Sequence, residues 1–185
     1  MPQLSLHTPI GPITVSAEQE VIVALDWGWG RDQAPTPVLA AARDWLQDYF
    51  DHRIRPMTLP VDPYGTPYRR RVWSVIMQIA PGETRSYAQV AAEAGGAARS
   101  IGTAMAHNPI PILIPCHRVV GSGARGRFVI GGYSGGEGVA TKRFLLALET
   151  HAAADAAATT TGRIALSPSD AHAVADDRPQ QRITR

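Results

Sequence analysis

Residues 86–121 read SYAQVAAEAGGAARSIGTAMAHNPIPILIPCHRVVG, and this stretch decides the fold of the second half of the chain. Ser86 followed three residues later by Gln89 is the pattern of a capping box, which starts a helix. Gly95 and Gly96 end that helix, and a second helical segment ends before Pro109. Two short helices across a glycine turn predict a helix-turn-helix, which in DNA-binding proteins places its second helix in a groove. Helical hairpins are also common in proteins that bind no DNA, so this pattern alone leaves the partner open.

The rest of the chain predicts an α+β fold. The β-branched runs of LSLHTPIGPITVSAEQEVIVALDW are broken by turn residues, which indicates short antiparallel strands. A helix is expected after Thr36 and Pro37, so residues 1–63 should form a small α/β domain. Residues 64–150 should form a mainly helical domain that contains the helix-turn-helix. Residues 151–185 are rich in Ala and Thr with little apolar bulk, and we expect a disordered tail there whose alanine run can form a transient helix.

Charge is distributed unevenly along the chain. Residues 1–63 hold four basic and eight acidic side chains, whereas residues 64–150 hold ten basic and four acidic ones. A basic half beside an acidic half favours an anionic partner for the second half, above all nucleic acid. A solvated charge asymmetry with no partner is the alternative.

Cys116 is the only cysteine among 185 residues. It excludes an internal disulfide and a cysteine-rich zinc site, and it fits a reducing compartment. No apolar run approaches the roughly 20 residues that a membrane-spanning helix needs, and no leader opens the chain. We therefore expect a cytoplasmic protein that makes no membrane contact. The glycine-rich residues 121–138 lack the lysine spacing of a phosphate-binding P-loop.

The surroundings of Cys116 indicate reactivity. Seven residues that are all Ile, Leu or Pro precede it, and they predict a rigid wall with little water. His117 supplies a titratable neighbour, and the positive charge of Arg118 would favour thiolate over thiol. Asn108 has a short side chain that can tie adjacent backbone turns together. The alternative is an inert buried cysteine that packs as a small apolar residue.

The segment IPCHRV, residues 114–119, resembles the active-site motif of the O6-alkylguanine-DNA alkyltransferases, the methylated-DNA–protein-cysteine methyltransferases. The resemblance extends over RRRVWSVIMQIAPGETRSYAQVAAEAGGAARSIGTAMAHNPIPILIPCHRVVG, and GGYSGG and KRFLLALE are similar to the closing loop and final helix of that family. It covers residues 64–150, with a looser similarity in residues 1–63. It implies DNA repair by single-turnover transfer of an alkyl group from O6 of guanine, with O4 of thymine as a second candidate position.

The resemblance also implies catalytic roles. Cys116 would accept the alkyl group by in-line displacement, and His117 would take the thiol proton through a water. Glu149 would orient His117. Asn108 would be the hinge between the recognition helix and the cysteine segment. Tyr87 would donate a hydrogen bond to a ring nitrogen of the flipped guanine.

Further positions would bind the base and the DNA. Tyr133 and Ser134 would close the pocket over the base, and the carbonyl groups of Val119 and Cys116 would accept from its exocyclic amine. Arg99 would fill the gap left by the flipped nucleotide.

Small residues on the second helix would allow its close approach to the minor groove, and Arg118 would contact phosphate; the small residues are Ala97, Ala98 and Gly102. The partner would be double-stranded DNA with alkylated bases, and no cofactor or metal is implied. We expect a monomer, and the sequence leaves cooperative binding along DNA open.

Three other functions fit the sequence less well. A non-enzymatic alkyltransferase-like protein that binds damaged DNA would lack the acceptor cysteine, which is present here. A plain helix-turn-helix regulator would not explain the PCHRV segment. A Cys-His hydrolase would need a histidine remote in sequence from the cysteine, whereas His117 is adjacent.

Overall fold

A computed structural model describes residues 1–124 and 127–164, with side chains described as far as Asp155. The chain starts with a three-stranded antiparallel sheet in the order β1 (Gln3–Leu6), β2 (Ile13–Glu18), β3 (Val21–Trp27). Helix α1 (Pro37–Phe50) packs on this sheet through its buried face, with Thr36 as the N-cap acceptor for the Leu39 amide. The predicted antiparallel strands and the predicted helix start are therefore confirmed.

The second part of the chain is mainly helical, as predicted. Its elements in chain order are α2 (Pro67–Ile76), β4 (Arg85–Ser86), α3 (Tyr87–Ala94), α4 (Ala98–Ala106), a 3-10 turn (Cys116–Arg118), β5 (Val119–Ser122), β6 (Phe128–Val129) and α5 (Val139–Ile164). The sequence pattern did not predict β4, β5 and β6. Strand β5 pairs in parallel with β4 and antiparallel with β6.

This small sheet brings the start of α3 beside the cysteine segment. Arg85 lies opposite Val119 and Ser86 lies opposite Val120. Tyr87 directly follows β4, and Cys116 lies three residues before the start of β5. The pairing of these two strands therefore holds the start of α3 and the cysteine segment side by side.

Helices α3 and α4 form the predicted helix-turn-helix. Ser86 accepts from the Gln89 amide and the Gln89 side chain accepts from the Ser86 amide, which is the predicted capping box. Gly95 and Gly96 take φ angles of 80° and 99° in the turn. A methyl group on Gly96 would lie 2.5 Å from the Tyr68 hydroxyl oxygen, so this position needs glycine for space as well as for backbone conformation.

One apolar core runs from α1 to the helices of the second part, and residues Met1–Ala153 form a single compact unit. Trp73 of α2 is buried at its centre, and its indole nitrogen donates to the Ala104 carbonyl of α4 at 3.0 Å. Within the described residues, none of the helices combines the length and apolar character that a bilayer crossing requires.

Helix α5 continues further than predicted. The sequence predicted a tail from residue 151 with at most a transient helix in its alanine run, but the backbone is helical through Ile164. The extension is rich in alanine, which has the highest helix propensity of all residues, and this outweighs the scarcity of apolar bulk. Residues 165–185 of the predicted tail lie outside the described residues.

Replacement of Leu46 by Ala should lower the free energy of unfolding by about 2–5 kcal/mol, because it leaves a cavity between α1 and the sheet. Leu46 is fully buried, whereas its neighbour Gln47 is exposed. Gln47→Ala is the matched control and should change stability by no more than about 0.5 kcal/mol. Urea denaturation of both variants measures the difference, and equal effects would contradict the assigned helix face.

Candidate active site

The cysteine segment is shaped by a tight turn before Cys116. The amide of Ile114 donates to the Ile110 carbonyl at 2.9 Å, and Ile112 between them has a φ of 73°. This left-handed conformation is costly for a β-branched side chain, so surrounding bonds must hold it. Asn108 supplies two of them: its amide nitrogen donates to the Ile114 carbonyl at 2.8 Å, and its oxygen accepts from the Ile110 amide at 3.1 Å. Asn108 thus joins the end of α4 to the turn that carries Cys116.

Cys116 lies at the base of a pocket with a volume of about 300 Å³. The predicted residues Tyr87, Tyr133 and Ser134 line this pocket together with Cys116, and the wall on the side of α4 includes Gly102. The pocket therefore lies between the start of α3, one side of α4, the cysteine turn and the glycine-rich loop before α5. The structure brings these predicted site residues together.

Behind the cysteine, a buried carboxylate collects hydrogen bonds from four residues. Glu149 is fully buried, and its Oε1 lies 2.8 Å from Nε2 of His117 and 2.8 Å from the Tyr49 hydroxyl, which donates to it. The Arg118 guanidinium donates to both carboxylate oxygens at 2.8–3.2 Å, and the Gly82 amide donates to Oε2 at 3.2 Å. The predicted contact between His117 and Glu149 is present.

The electrostatics of this group favour a neutral histidine beside an ionised glutamate. Burial opposes ionisation of Glu149, but the hydrogen bonds from His117 and Arg118 and the charge of Arg118 hold the pKa of its carboxyl far below the ordinary value. Burial lowers the pKa of His117 despite the opposing effect of Glu149. Because Nε2 of His117 donates to the carboxylate, Nδ1 keeps its lone pair, and it has no hydrogen-bond partner among the described residues.

The thiol itself is held in its protonated form. Burial raises the pKa of Cys116, and it outweighs the lowering by Asn108, by the charge of Lys142 and by Tyr133. Burial and the nearby Cys116 also raise the pKa of Tyr87, so that its hydroxyl remains a hydrogen-bond donor at neutral pH. A protonated thiol needs a base before it can attack, and His117 is the neighbouring group able to act as one.

The prediction that Arg118 contacts DNA phosphate is wrong. Arg118 is only 6% exposed. Its guanidinium donates to the Glu149 carboxylate and, at 2.5 Å, to the Ile79 carbonyl. Its charge is compensated by the carboxylate, so it does not supply the positive field expected for Cys116. The cation that acts on Cys116 is Lys142.

Lys142 also changes the expected use of Val119. The Val119 carbonyl was assigned to the exocyclic amine of the base, but it accepts from the Lys142 ammonium at 2.6 Å. Lys142 is almost completely buried and lies 5.9 Å from the ring centre of Tyr87. The second lone pair of this carbonyl is all that remains for a ligand.

The predicted DNA-contacting residues of α4 lie at its exposed start. Ala97, Ala98 and Arg99 are all exposed, and a methyl group on Gly102 would meet open space. The face is therefore free of bulky side chains except for Arg99. This is the geometry expected of a helix that approaches a nucleic acid closely.

Comparison with known proteins identifies the family. Residues 4–63 match the model described as 6-O-methylguanine DNA methyltransferase, ribonuclease-like domain, and residues 67–151 match the DNA binding domain of the same name. The chain belongs to the 6-O-methylguanine DNA methyltransferase family. It is 36% identical to the constitutive methylated-DNA–protein-cysteine methyltransferase of Bacillus subtilis, over 77% of this chain and 92% of that protein. The enzyme of that name from Mycobacterium bovis is 36% identical over 78% and 90%.

Solved structures agree with this methyltransferase fold. The crystal structure of Mycobacterium tuberculosis OGT in complex with DNA superposes with a TM-score of 0.71 at 34% identity, covering 82% of this chain and 94% of that one. The crystal structure of Mycobacterium tuberculosis O6-methylguanine methyltransferase has a TM-score of 0.68 at 35% identity, over 81% and 93%. The α+β fold predicted from the sequence is confirmed.

Two residues of this methyltransferase site were missed by sequence reasoning. Tyr49 lies in a helix 100 positions before Glu149, and no local pattern links the two. Lys142 falls within the KRFLLALE segment, but its charge alone suggested a solvent-exposed residue. The signal available for Lys142 was its position three residues before Leu145, on the helix face that Leu145 buries.

Replacement of Glu149 by Gln should destabilise the methyltransferase by about 3–5 kcal/mol at pH 7, because it leaves the Arg118 guanidinium buried without a counter-charge. The low pKa of Glu149 means that its stabilisation is present above the unfolded value of about 4.3 and is lost as pH falls below it.

The stability difference between the native protein and Glu149→Gln should therefore be large at pH 7 and shrink below about pH 4. Urea denaturation of both proteins at pH 7 and below about pH 4 measures this stability difference. Glu83→Gln removes an exposed carboxylate nearby and should leave stability unchanged at both. A difference independent of pH would contradict the ionised state assigned to Glu149.

Proposed function

We propose that this chain repairs DNA by transferring an alkyl group from O6 of a guanine directly to Sγ of Cys116. The chain is a methyltransferase of the direct-reversal class, and DNA is its partner. The observation that carries the assignment to Cys116 is the placement of the single cysteine at the base of the pocket, beside Tyr87 and in front of the His117–Glu149 pair. The relatives named methylated-DNA–protein-cysteine methyltransferase and the relative solved in complex with DNA support it.

The first chemical step is removal of the thiol proton. A neutral His117, oriented through Nε2 by Glu149, accepts this proton at Nδ1 through a bridging water. The thiolate then attacks the alkyl carbon on the side opposite O6, so that the S–C bond forms as the C–O6 bond breaks. The imidazolium that results is stabilised by the adjacent carboxylate.

The second requirement is a stable leaving group. A guanine oxyanion is a poor leaving group, and a donor aimed at the ring lowers the barrier to its departure. The Tyr87 hydroxyl supplies this hydrogen bond at a ring nitrogen. The Tyr87 hydroxyl passes its proton to this ring nitrogen as the C–O6 bond breaks, and the proton that His117 took from Cys116 restores the Tyr87 hydroxyl through water. Overall the base gains one proton and the protein loses the Cys116 proton, so the charges balance without a cofactor.

The base must leave the duplex to reach this pocket. The exposed start of α4 would enter the minor groove, where Ala97, Ala98 and Gly102 permit close approach, and Arg99 would occupy the vacancy left by the flipped nucleotide. Tyr133 and Ser134 would close over the base. The net positive charge of residues 64–150 favours the phosphate backbone.

The two regions of the sequence have different roles in this proposal. We propose that residues 64–150 bind DNA and carry the acceptor thiol, and that residues 1–63 support the site from behind. A monomer is sufficient, because every proposed residue lies in one chain. A thiol that must stay reduced and a DNA partner favour the cytoplasm as its compartment. The proposed lesions are alkylated guanine in duplex DNA and, secondarily, O4-alkylated thymine.

A single-use thiol should give a stoichiometric reaction. The thioether formed on Cys116 has no good leaving group, so excess O6-methylguanine DNA should yield a burst of about one equivalent and then no further product. Intact mass should show one added methyl group. Cys116→Ser should still bind DNA and transfer nothing, and sustained turnover or an active serine variant would overturn the mechanism.

Arg99→Ala should slow repair of duplex DNA by about tenfold or more, because base extrusion costs a few kcal/mol that Arg99 helps to offset. Reaction with the free modified base should change much less, since no extrusion is needed. Arg43→Ala removes another exposed arginine, on α1, and should alter neither rate. An equal loss on both substrates would contradict the role of Arg99.

A further inference from the structure

The loop that closes the pocket has little structure of its own. Residues 131–138 read GGYSGGEG, contain five glycines and form neither helix nor strand. Among the described residues its one internal hydrogen bond runs from the Gly138 amide to the Gly135 carbonyl at 2.9 Å. At its junction with α5, the Glu137 amide donates to the Thr141 hydroxyl at 2.9 Å and the Gly138 carbonyl accepts from the Lys142 amide at 3.2 Å. Nevertheless this loop carries Tyr133 and Ser134 to the pocket. Something outside the loop must therefore hold it in place.

That support comes from the N-terminal sheet. The indole of Trp27 lies directly against the loop backbone, because a methyl group on Gly135 would be 2.5 Å from Cζ2 and 2.9 Å from Cε2 and Nε1 of the indole. A methyl group on Gly136 would be 3.3 Å from Cζ3 of the same ring. Such a short approach is available only to glycine. The loop thus rests on a flat aromatic surface one residue after Ser134.

Trp27 is itself well anchored. It is the last residue of β3 and pairs with Ile13 in the antiparallel ladder. The next residue, Gly28, donates its amide to the Pro12 carbonyl at 2.8 Å. Backbone hydrogen bonds of the sheet therefore fix the position of Trp27, whereas the loop that its indole contacts belongs to no helix or strand. Trp27 does not line the pocket, so it can act on the substrate only through the loop.

We infer that Trp27 is a positioning residue that holds the pocket-closing loop 131–138 against the N-terminal sheet and thereby sets the size of alkyl group that Cys116 accepts. This inference rests on the proposed function. With the indole present, Tyr133 is kept close to Cys116 and the pocket stays near 300 Å³. Without it, the loop loses its support and moves outward. A small alkyl group then loses its alignment, while a bulky one gains room.

The test compares single-turnover transfer from O6-methylguanine and O6-benzylguanine, each in the same duplex oligonucleotide. Trp27→Ala should lower the methyl rate by about tenfold, because small misplacements of a reacting geometry cost ten- to a hundredfold. The benzyl rate should fall less or rise. The ratio of the two rates is decisive, because a general loss of folded protein lowers both rates equally.

A steric double-mutant cycle makes the contact itself testable. Gly135→Ala alone should disturb the loop, since its methyl group collides with the indole, and should shift the ratio. In the Trp27→Ala background the same substitution should have little further effect, because its collision partner is gone. Equal effects of Gly135→Ala in both backgrounds would overturn the inference.

Two further variants complete the experiment. Trp29→Ala removes a second tryptophan two residues away, which is 53% exposed and has its ring centre 4.7 Å from that of His7, and it should keep the native ratio. Trp27→Phe retains an aromatic ring in the strand but not the outer ring of the indole, and it should shift the ratio even if Trp27→Ala fails to fold. An unchanged ratio in folded Trp27→Phe and Trp27→Ala would refute the positioning role. If Cys116 of the native protein is not alkylated by either substrate, the proposed function itself is refuted.

Discussion

The buried carboxylate of Glu149 is the constraint on which the rest of the site depends. A carboxylate without solvent is tolerated only when hydrogen bonds and opposite charge compensate it. Here the compensation comes from α1 through Tyr49, from the turn after α2 through Gly82, and from the cysteine segment through His117 and Arg118. Three separate parts of the chain must therefore converge on one point of α5. That convergence sets the position of Cys116, which immediately precedes two of the donors.

The same hydrogen-bond network sets the charge state of each group in the site. Arg118 neutralises Glu149 and is thereby removed from both the DNA and the thiol. His117 remains neutral and able to accept a proton, while the buried thiol of Cys116 remains protonated. The charge that reaches the pocket is that of Lys142. A protonated thiol is a weak nucleophile, so Cys116 needs a base to take its proton before it can react.

Local sequence determined the helices and their ends. Thr36 and Ser86 each cap a helix as their sequence contexts predicted, because a cap needs only a side chain and amides two or three residues away. The glycine pair of the helix-turn-helix and the turn before Cys116 are local in the same sense. The resemblance carried by the IPCHRV segment also implied that Cys116, Tyr87, Tyr133 and Ser134 share one pocket, which they do. Where side-chain propensity and apolar bulk disagreed, as in the alanine-rich extension of α5, the pattern misplaced the boundary.

Tertiary structure decided everything that depends on which distant group lies next to a charge or a ring. The sequence shows that Arg118 lies two residues after Cys116. Only the fold shows that its guanidinium binds the carboxylate of Glu149, which lies 31 residues later. In the same way the fold alone brings Tyr49 to Glu149, Lys142 to the Val119 carbonyl and Trp27 to the glycines of the closing loop. Covalent neighbours and helix caps are specified within a few residues, so the sequence by itself determined them. The state of a buried charge depends on all groups that surround it in space, and those are chosen by the packing of the whole core.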